Sequence, residues 1–272
     1  MAGEILGFDL ICVFNMNLTI EEPWEVADED EFYFYHCFKL NDGGTIDGDW
    51  DISFDFENYI GNVDLCGKKV LDMGTATGYI AFAAEELGAR EVTALDIPSL
   101  ADEDRVPFRD FEYTLNKEQW ATKYASYLER GRKGFWHVWN RKNSKVRVAY
   151  CTMEKLLSID ERFDVVIAGA LLEHLGDPIK ALGACCRLAD KTVVIAFTPV
   201  DFDRGEFMRP LIPWTHSDLS YVWWVLSRDL YERVFENLGF KPEFRTSKAV
   251  RIGKTGERSI EERTTIVAHR IS

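Results

Sequence analysis

Three groups of residues in this 272-residue chain are of the types, and at the spacings, that chemistry at the end of a strand requires. The first is Asp72-Met73-Gly74-Thr75-Ala76-Thr77-Gly78, a glycine-rich turn introduced by a carboxylate. A phosphate-cradling loop needs Lys-Ser or Lys-Thr after its glycines, and neither follows here. A dinucleotide site lays pyrophosphate on a helix N-terminus through G-x-G-x-x-G, but Asp72 precedes Gly74 and Ala76 replaces the middle glycine. A carboxylate at that point suits a cationic ligand better than a diphosphate. The second group is Asp96, 18 residues beyond Gly78, where a ribose would meet a carboxylate. The third comprises Glu173-His174, His36 in Tyr-Phe-Tyr-His-Cys, and His216 in Leu-Ile-Pro-Trp-Thr-His-Ser. Each is a candidate general base if it faces the strand-end crevice. Each also has a plainer reading: His174 as a turn residue, Glu173 as solvent-facing, His36 as packing among aromatics, His216 beside a helix cap. His137 and His269 read as structural.

Those residues need elements to hold them in place. Lys68–Asp72, Glu91–Asp96, Val146–Tyr150, Phe163–Ala168, Thr192–Phe197, Lys241–Arg245 and Thr264–Ala268 read as strands. Tyr79–Leu87, Asp177–Leu188 and Ser227–Leu238 read as helices. The alternation predicts an α/β, Rossmann-like sheet of seven mostly parallel strands with helices on both faces. Only a charged linker joins the last two strands, so the last is expected to be antiparallel. Residues 98–145 are too long for a simple βα connection, so they form a helical insertion and could build a lid. Residues 1–66 are acidic and crowded with aromatics, and are expected to pack on the sheet edge or roof a pocket over it. The domain proper is then 67–272.

Charge narrows the partners. The formal net charge is −14, and residues 1–66 hold 16 Asp and Glu against Lys39 alone. A polyanion would meet that acidic quarter, which argues against nucleic acid. The contrary feature is Arg130–Arg147, with seven basic residues, no acidic ones, and Trp136 and Trp139 among them. It reads either as a stacking, phosphate-binding stripe or as the wet face of a helix with buried tryptophans. Trp214, Trp223 and Trp224 suit a flat or cationic acceptor, or core packing. No apolar run reaches a membrane span, and a basic leader before an apolar stretch is missing. The six cysteines form no CxxC pair and no zinc spacing. They read as reduced thiols of a cytoplasmic protein, and no metal is expected.

The stretches VLDMGTATG, VTALDIP and FDVVIAGALLEHLGDP, in that order, resemble the successive motifs of class I S-adenosylmethionine-dependent methyltransferases. That cofactor is cationic, lacks phosphate, and carries a ribose. The likeness covers roughly residues 30–97 and 134–270. YHCFKLNDGGTIDGDWD, GFWHVWNRKNSKV and YVWWVLSRDLYERVFENLGF further resemble the branch containing tRNA wobble-uridine methyltransferases and their small-molecule relatives. The resemblance implies that Gly74, Thr75, Ala76 and Gly78, with Asp72 at the strand end, line the methionine and ribose. It implies that Asp96 holds the ribose hydroxyls, Ile97 and Met153 sandwich the adenine, and Thr152 lies at its amino edge. Gly169 would lie under the methionine part, and Trp50 would close the cofactor from the N-terminal side. His36, Asp55 and the Leu172-Glu173 turn align with positions that hold a carboxylated cofactor in that branch. None of them is a fixed cation, so plain S-adenosylmethionine is the expected cofactor.

The function expected is methyl transfer to oxygen or nitrogen of a small molecule, with His174, Glu173 and His36 as candidate catalytic residues. Two alternatives stand beside it. A tRNA-modifying enzyme would bind through Arg130–Arg147, and a non-catalytic cofactor-binding module would tolerate loss of all the candidate bases. The acceptor and the oligomeric state are left open.

Overall fold

The computed structural model describes residues 17–27, 29–106, 112–211 and 222–271. His216 and Trp214 lie outside the described residues. Eight strands form the main sheet: β1 (Trp50–Asp51), β2 (Lys69–Met73), β3 (Glu91–Asp96), β4 (Arg147–Tyr150), β5 (Phe163–Gly169), β6 (Ala189–Thr198), β7 (Phe240–Ile252) and β8 (Arg258–Arg270). Their order is β1-β7-β8-β6-β5-β2-β3-β4. Strands β6, β5, β2, β3 and β4 run parallel, while β8 is antiparallel to both of its neighbours. The antiparallel closing strand is therefore as expected, but the sheet has eight strands instead of seven. The eighth is β1, carried in by the N-terminal segment, where Asp51 and Trp50 pair with Val250 and Arg251. A two-residue strand has no room for an alternating pattern, so periodicity cannot reveal it.

Alternation along the parallel strands explains why both faces are covered. Leu71, Leu95, Val166, Val193 and Ile195 point to one face. They pack there on α4 (Pro178–Leu188) and α5 (Arg228–Asn237). Val70, Ala94, Val165, Ile167 and Val194 point to the other. That face is covered by α1 (Tyr79–Glu86) and α3 (Ala125–Lys142). The helix starts are those the sequence marks. Asp177 accepts from Lys180 N–H at 2.9 Å with Pro178 in the first turn, and Ser227 accepts from Leu230 N–H at 3.2 Å. The 98–145 insertion supplies α2 (Lys117–Lys123) and α3. It also builds a separate apolar cluster around Leu100, Tyr113 and Trp120, which Trp223 joins.

The N-terminal segment is a strap. Ile20 bridges Ala149 on β4 at one edge of the sheet, and Trp24 stacks on Trp136 at 6.2 Å. Tyr33 N–H then donates to Arg130 O, and His36 N–H reaches Thr77 Oγ1 at 3.2 Å. The segment ends as β1 on the opposite edge. The two charge runs meet along this path. Lys133 pairs with Asp30 at 2.9 Å and Arg141 with Asp42, while Lys142 holds Glu86 and Arg147 holds Glu91. Trp136 is buried, and Trp139 Nε1 donates to Val146 O. Most of the basic stretch thus lies on a helix with a buried Trp136 and a half-buried Trp139, and Lys133, Arg141, Lys142 and Arg147 are matched by acids. Among the described residues no helix is long and apolar enough to cross a membrane.

Candidate cofactor and acceptor site

The turn after β2 folds back because its first residues bond across to the next strand. Gly74 N–H and Thr75 N–H both donate to Leu95 O, at 2.9 and 3.0 Å. Gly74 and Gly78 have φ of +79° and +91°, which glycine adopts without cost. A Cβ at Gly78 would also lie 2.5 Å from the Phe135 ring. Ala76, at the middle position, takes φ +49°. Two further non-glycine residues with positive φ, Ala170 and Phe197, follow or end β5 and β6. All three line one cavity, so the backbone strain collects at the mouth of the sheet.

That cavity is about 660 Å³, within the range of small-molecule sites. Its floor is the carboxyl edge of the parallel strands, where open α/β sheets bind ligands. The strap contributes Tyr33, Tyr35, Asp49 and Trp50, α3 contributes Tyr127 and Arg132, and the β7–β8 hairpin contributes Arg251, Lys254 and Arg263. Of the residues expected around the cofactor, Trp50, Gly74, Thr75, Ala76, Asp96 and Ile97 line it together. Asp96 Oδ2 accepts Ala76 N–H at 3.0 Å and Oδ1 accepts Ile97 N–H at 2.7 Å. Each oxygen keeps a lone pair for a ligand hydroxyl. Burial raises the Asp96 carboxyl above its usual range, against the pull of the two N–H groups and Arg132.

Five others stand behind the lining. Asp72 is fully buried, with Thr75 Oγ1 donating to its Oδ2 at 2.6 Å. Its Oδ1 has no protein partner, and burial pushes its pKa up to about 7. Gly78 begins α1 against Phe135. Gly169 admits Ile80, since a Cβ there would meet Ile80 Cδ1 at 2.6 Å. Thr152 caps the one-turn helix Met153–Leu156 through Lys155 N–H, and Met153 packs against the apolar core. On the β4 side the cavity meets Tyr150 and Arg132 in place of Met153. The Arg132 guanidinium lies 4.0 Å from the Tyr150 ring centre and donates to the Ile97 and Pro98 carbonyls at 2.7 Å.

The three candidate bases separate. His174, in a 3-10 turn after β5, lines the cavity. Glu173 beside it does not point to solvent: it is 2% exposed and held by Arg263 at 3.1 Å. A carboxylate so buried needs that cation, which the antiparallel strand β8 supplies from 90 residues away. His36 is buried behind the glycine turn, 3.3 Å from Thr77 Oγ1, and burial pushes it down to about 3. It is a neutral prop for the turn and not part of the cavity lining. Trp223 and Trp224 are used in packing, the latter donating Nε1 to Gly176 O at 3.0 Å.

Several lining residues carried no signal that singled them out. Glu103 and Arg105 form a forked pair at 2.8 and 3.0 Å, and Arg105 stacks over Trp120 at 4.8 Å. Burial raises the Glu103 carboxyl, against the pull of Arg105 and His174. Tyr33 donates to Asp49 at 2.7 Å and lies 4.8 Å from the Tyr127 ring. Tyr33 and Tyr35 belong to the aromatic run of the N-terminal segment, whose density was the available clue. Among the described residues no group of three His, Cys, Asp or Glu side chains is placed to hold a metal ion.

A strand-end cavity with a strained glycine turn and a ribose-ready carboxylate is compatible with several nucleotide-like ligands. The decisive observation is that residues 54–243 match the family model for the methyltransferase domain. The chain belongs to that family. S-adenosylmethionine is accordingly its cofactor, and the residues fit it. Asp96 turns a carboxylate into the cavity, Asp72 keeps an unpartnered carboxylate oxygen behind the turn, and the turn holds no lysine to meet a phosphate. The chain is 27% identical over 195 residues to the ubiquinone biosynthesis O-methyltransferase of Alkalilimnicola ehrlichii. That match covers 65% of this chain and 66% of the relative, just under two thirds of its length. A shorter stretch of 40 residues is 52% identical to the ribosomal protein L11 methyltransferase of Porphyromonas gingivalis, covering 15% and 14% of the two chains. The solved magnesium protoporphyrin IX methyltransferase of Synechocystis PCC 6803 with bound SAM has a TM-score of 0.45 at 14% identity, over 78% of this chain and 74% of that one. The family assignment does not rest on that structural likeness.

Proposed function

We propose that this methyltransferase domain transfers the methyl group to oxygen or nitrogen of a small molecule held inside the strap-covered cavity. The observation that carries this reading is the enclosure itself. Strap, α3 and the β7–β8 hairpin all border the same 660 Å³ space, so the acceptor shares it with the cofactor. The O-methyltransferase relative named above supports the same reading. S-adenosylmethionine supplies an electrophilic methyl carbon on a good leaving group. The protein's part is then to hold the acceptor in line and keep water out.

In this reading Gly74, Thr75 and Ala76 border the methionine and ribose, with Asp72 behind them as the carboxylate that faces positive charge. Asp96 takes the ribose hydroxyls, Ile97 lies against the adenine, and Trp50 closes the cofactor from above. Gly78, Gly169, Thr152 and Met153 shape this half from the layer behind. His174 is the base where the acceptor must lose a proton, with Glu103 beside it from the insertion. Glu173 holds Arg263 in place and His36 supports the turn. A small acceptor is favoured over nucleic acid because Lys133, Arg141 and Lys142 of the basic helix already face Asp30, Asp42 and Glu86.

The test is transfer of labelled methyl from S-adenosylmethionine in a cell extract separated by size. Label in the fraction below about 1 kDa supports a small acceptor of the size such cavities hold. Label confined to RNA or protein overturns it.

A further inference from the structure

Resting on that reading, we propose that the acceptor is a small organic carboxylate whose charged end is received at the cavity mouth by Arg251 and Lys254 of the β7–β8 hairpin. The argument is an inventory of which polar groups around the acceptor side are already committed. Asp49 accepts the Tyr33 hydroxyl, Glu103 is forked by Arg105, and Glu261 accepts Arg263 at 3.1 Å. Glu173, behind the wall, is taken by Arg263 and Thr198. Both oxygens of Glu103 and of Glu173 are held, and Asp49 and Glu261 each have one oxygen held, so a cationic acceptor would find only Asp49 Oδ1 and Glu261 Oε1, the latter beside Arg251.

The donors are in the opposite condition. Lys254 lines the cavity, is exposed, and has no carboxylate partner among the described residues. Arg251 lies 3.8 Å from Glu261, beyond hydrogen-bond reach, and its side chain is 63% exposed. Glu257, at the same turn, folds back onto Thr255, accepting its N–H at 3.1 Å and its hydroxyl. Deeper in, the Tyr35 and Tyr59 hydroxyls line the cavity with no hydrogen-bond partner among the described residues. Both sense the charges of Glu173 and Arg263. An acceptor bearing a carboxylate at one end and a reacting oxygen or nitrogen at the other meets donors at both places. An ammonium at the mouth would meet the like charges of Arg251 and Lys254.

The setting also limits the size of the anion. Glu261 lies 3.8 Å from Arg251 and offsets part of the positive charge at the mouth, which favours a single charge over a phosphate dianion. The chain's net charge of −14 repels polyanions at longer range. The two cations select by direct contact.

The experiment is calorimetric titration of the full chain, saturated with S-adenosylhomocysteine, with matched triplets of an acid, its amide and its amine. 3-Phenylpropionate, 3-phenylpropionamide and 3-phenylpropylamine form one triplet, and shorter and longer chains form the others. The acid should bind at least about tenfold tighter than the amide in the best-fitting triplet. The R251Q/K254Q double variant, on an exposed hairpin turn, should lose most of that preference while keeping its affinity for S-adenosylhomocysteine. Tyr35→Phe should leave the acid's preference intact, because these probes carry no polar atom at the end that faces Tyr35. Equal binding within every triplet, preference for amines, or a preference that survives the double variant overturns the proposal. Failure to bind S-adenosylhomocysteine would instead overturn the cofactor reading beneath it.

Discussion

Ala76 occupies a left-handed backbone position, φ +49°, at the point where the turn passes closest to Asp96. An L-residue there costs about 1–2 kcal/mol, and glycine would give back roughly half of the relief through its greater unfolded freedom. Ala76→Gly is therefore expected to stabilise the cofactor-free protein by about 0.5–1 kcal/mol, read as a Tm rise of about 2 °C. A lower Tm would mean that the methyl group packs better than the strain costs. Asp72 gives the second prediction at this scale. Its folded pKa of about 7 lies above the ordinary 3.8, so the native state binds more protons than the unfolded chain across that interval. Stability from this group is complete below about pH 4 and is lost as pH rises through 7. His36, pushed down to about 3, acts with the opposite slope between pH 3 and its usual 6.5, so only a variant-against-parent comparison isolates Asp72. Asp72→Asn should raise the Tm of the cofactor-free protein at pH 8 by several degrees and leave it nearly unchanged at pH 4. Equal shifts at the two pH values would show that Asp72 ionises freely in the fold.

The strap is the element that turns an open sheet edge into an enclosed site, and few backbone bonds fasten it. Glu21 N–H donates to Val148 O at 2.8 Å and Tyr33 N–H to Arg130 O at 3.1 Å, while Trp50 N–H to Tyr35 O at 2.9 Å and Cys37 N–H to Trp50 O at 2.8 Å hold the strap to its own β1. Filling the cavity under Tyr35 and Trp50 should slow amide exchange at Trp50 and Cys37 when S-adenosylhomocysteine binds, by about tenfold or more. Glu21, fastened to the far edge of the sheet, should change much less. Uniform slowing along the strap would mean that the whole fold is stabilised and the strap has no special part. The parallel strands were legible in the sequence because residues such as Val70-Leu71 and Val165–Ala168 are buried on both faces and so form unbroken apolar runs. The inner parts of the hairpin arms were legible too, at 241–245 and 264–268, but their outer parts were not. Apolar pattern suggested 264–268, while pairing continues through the charged outer residues to Arg258, opposite Ile252. Those residues bond across the hairpin but bury little, and burial is what patterning records.

At the scale of the molecule, the acidic first quarter reads by itself as a solvated surface, and the basic helix by itself as either a nucleic-acid stripe or the wet face of a helix. They turn out to be two sides of one packing contact, Asp30 on Lys133 and Asp42 on Arg141. Complementary runs far apart in sequence carry no local mark of their meeting. The same holds for Arg263 and Glu173, or Glu103 in the insertion facing His174 on β5's exit turn. Gly74, Thr75, Ala76, Asp96 and Ile97 were readable as neighbours at the cavity because they are strand ends and turns within one βαβ unit. The acceptor half was not, because strap, insertion and hairpin come together only in the folded chain.

The central claim is that this cavity holds S-adenosylmethionine through the Asp96 carboxylate. Calorimetric titration of the parent and of Asp96→Ala with S-adenosylmethionine, then with S-adenosylhomocysteine, tests it directly. Both ligands should bind the parent, and the variant should lose about 10- to 100-fold in affinity for each, the worth of charge-assisted hydrogen bonds to a diol. Unchanged affinity in the variant, or no binding to the parent, would contradict the account.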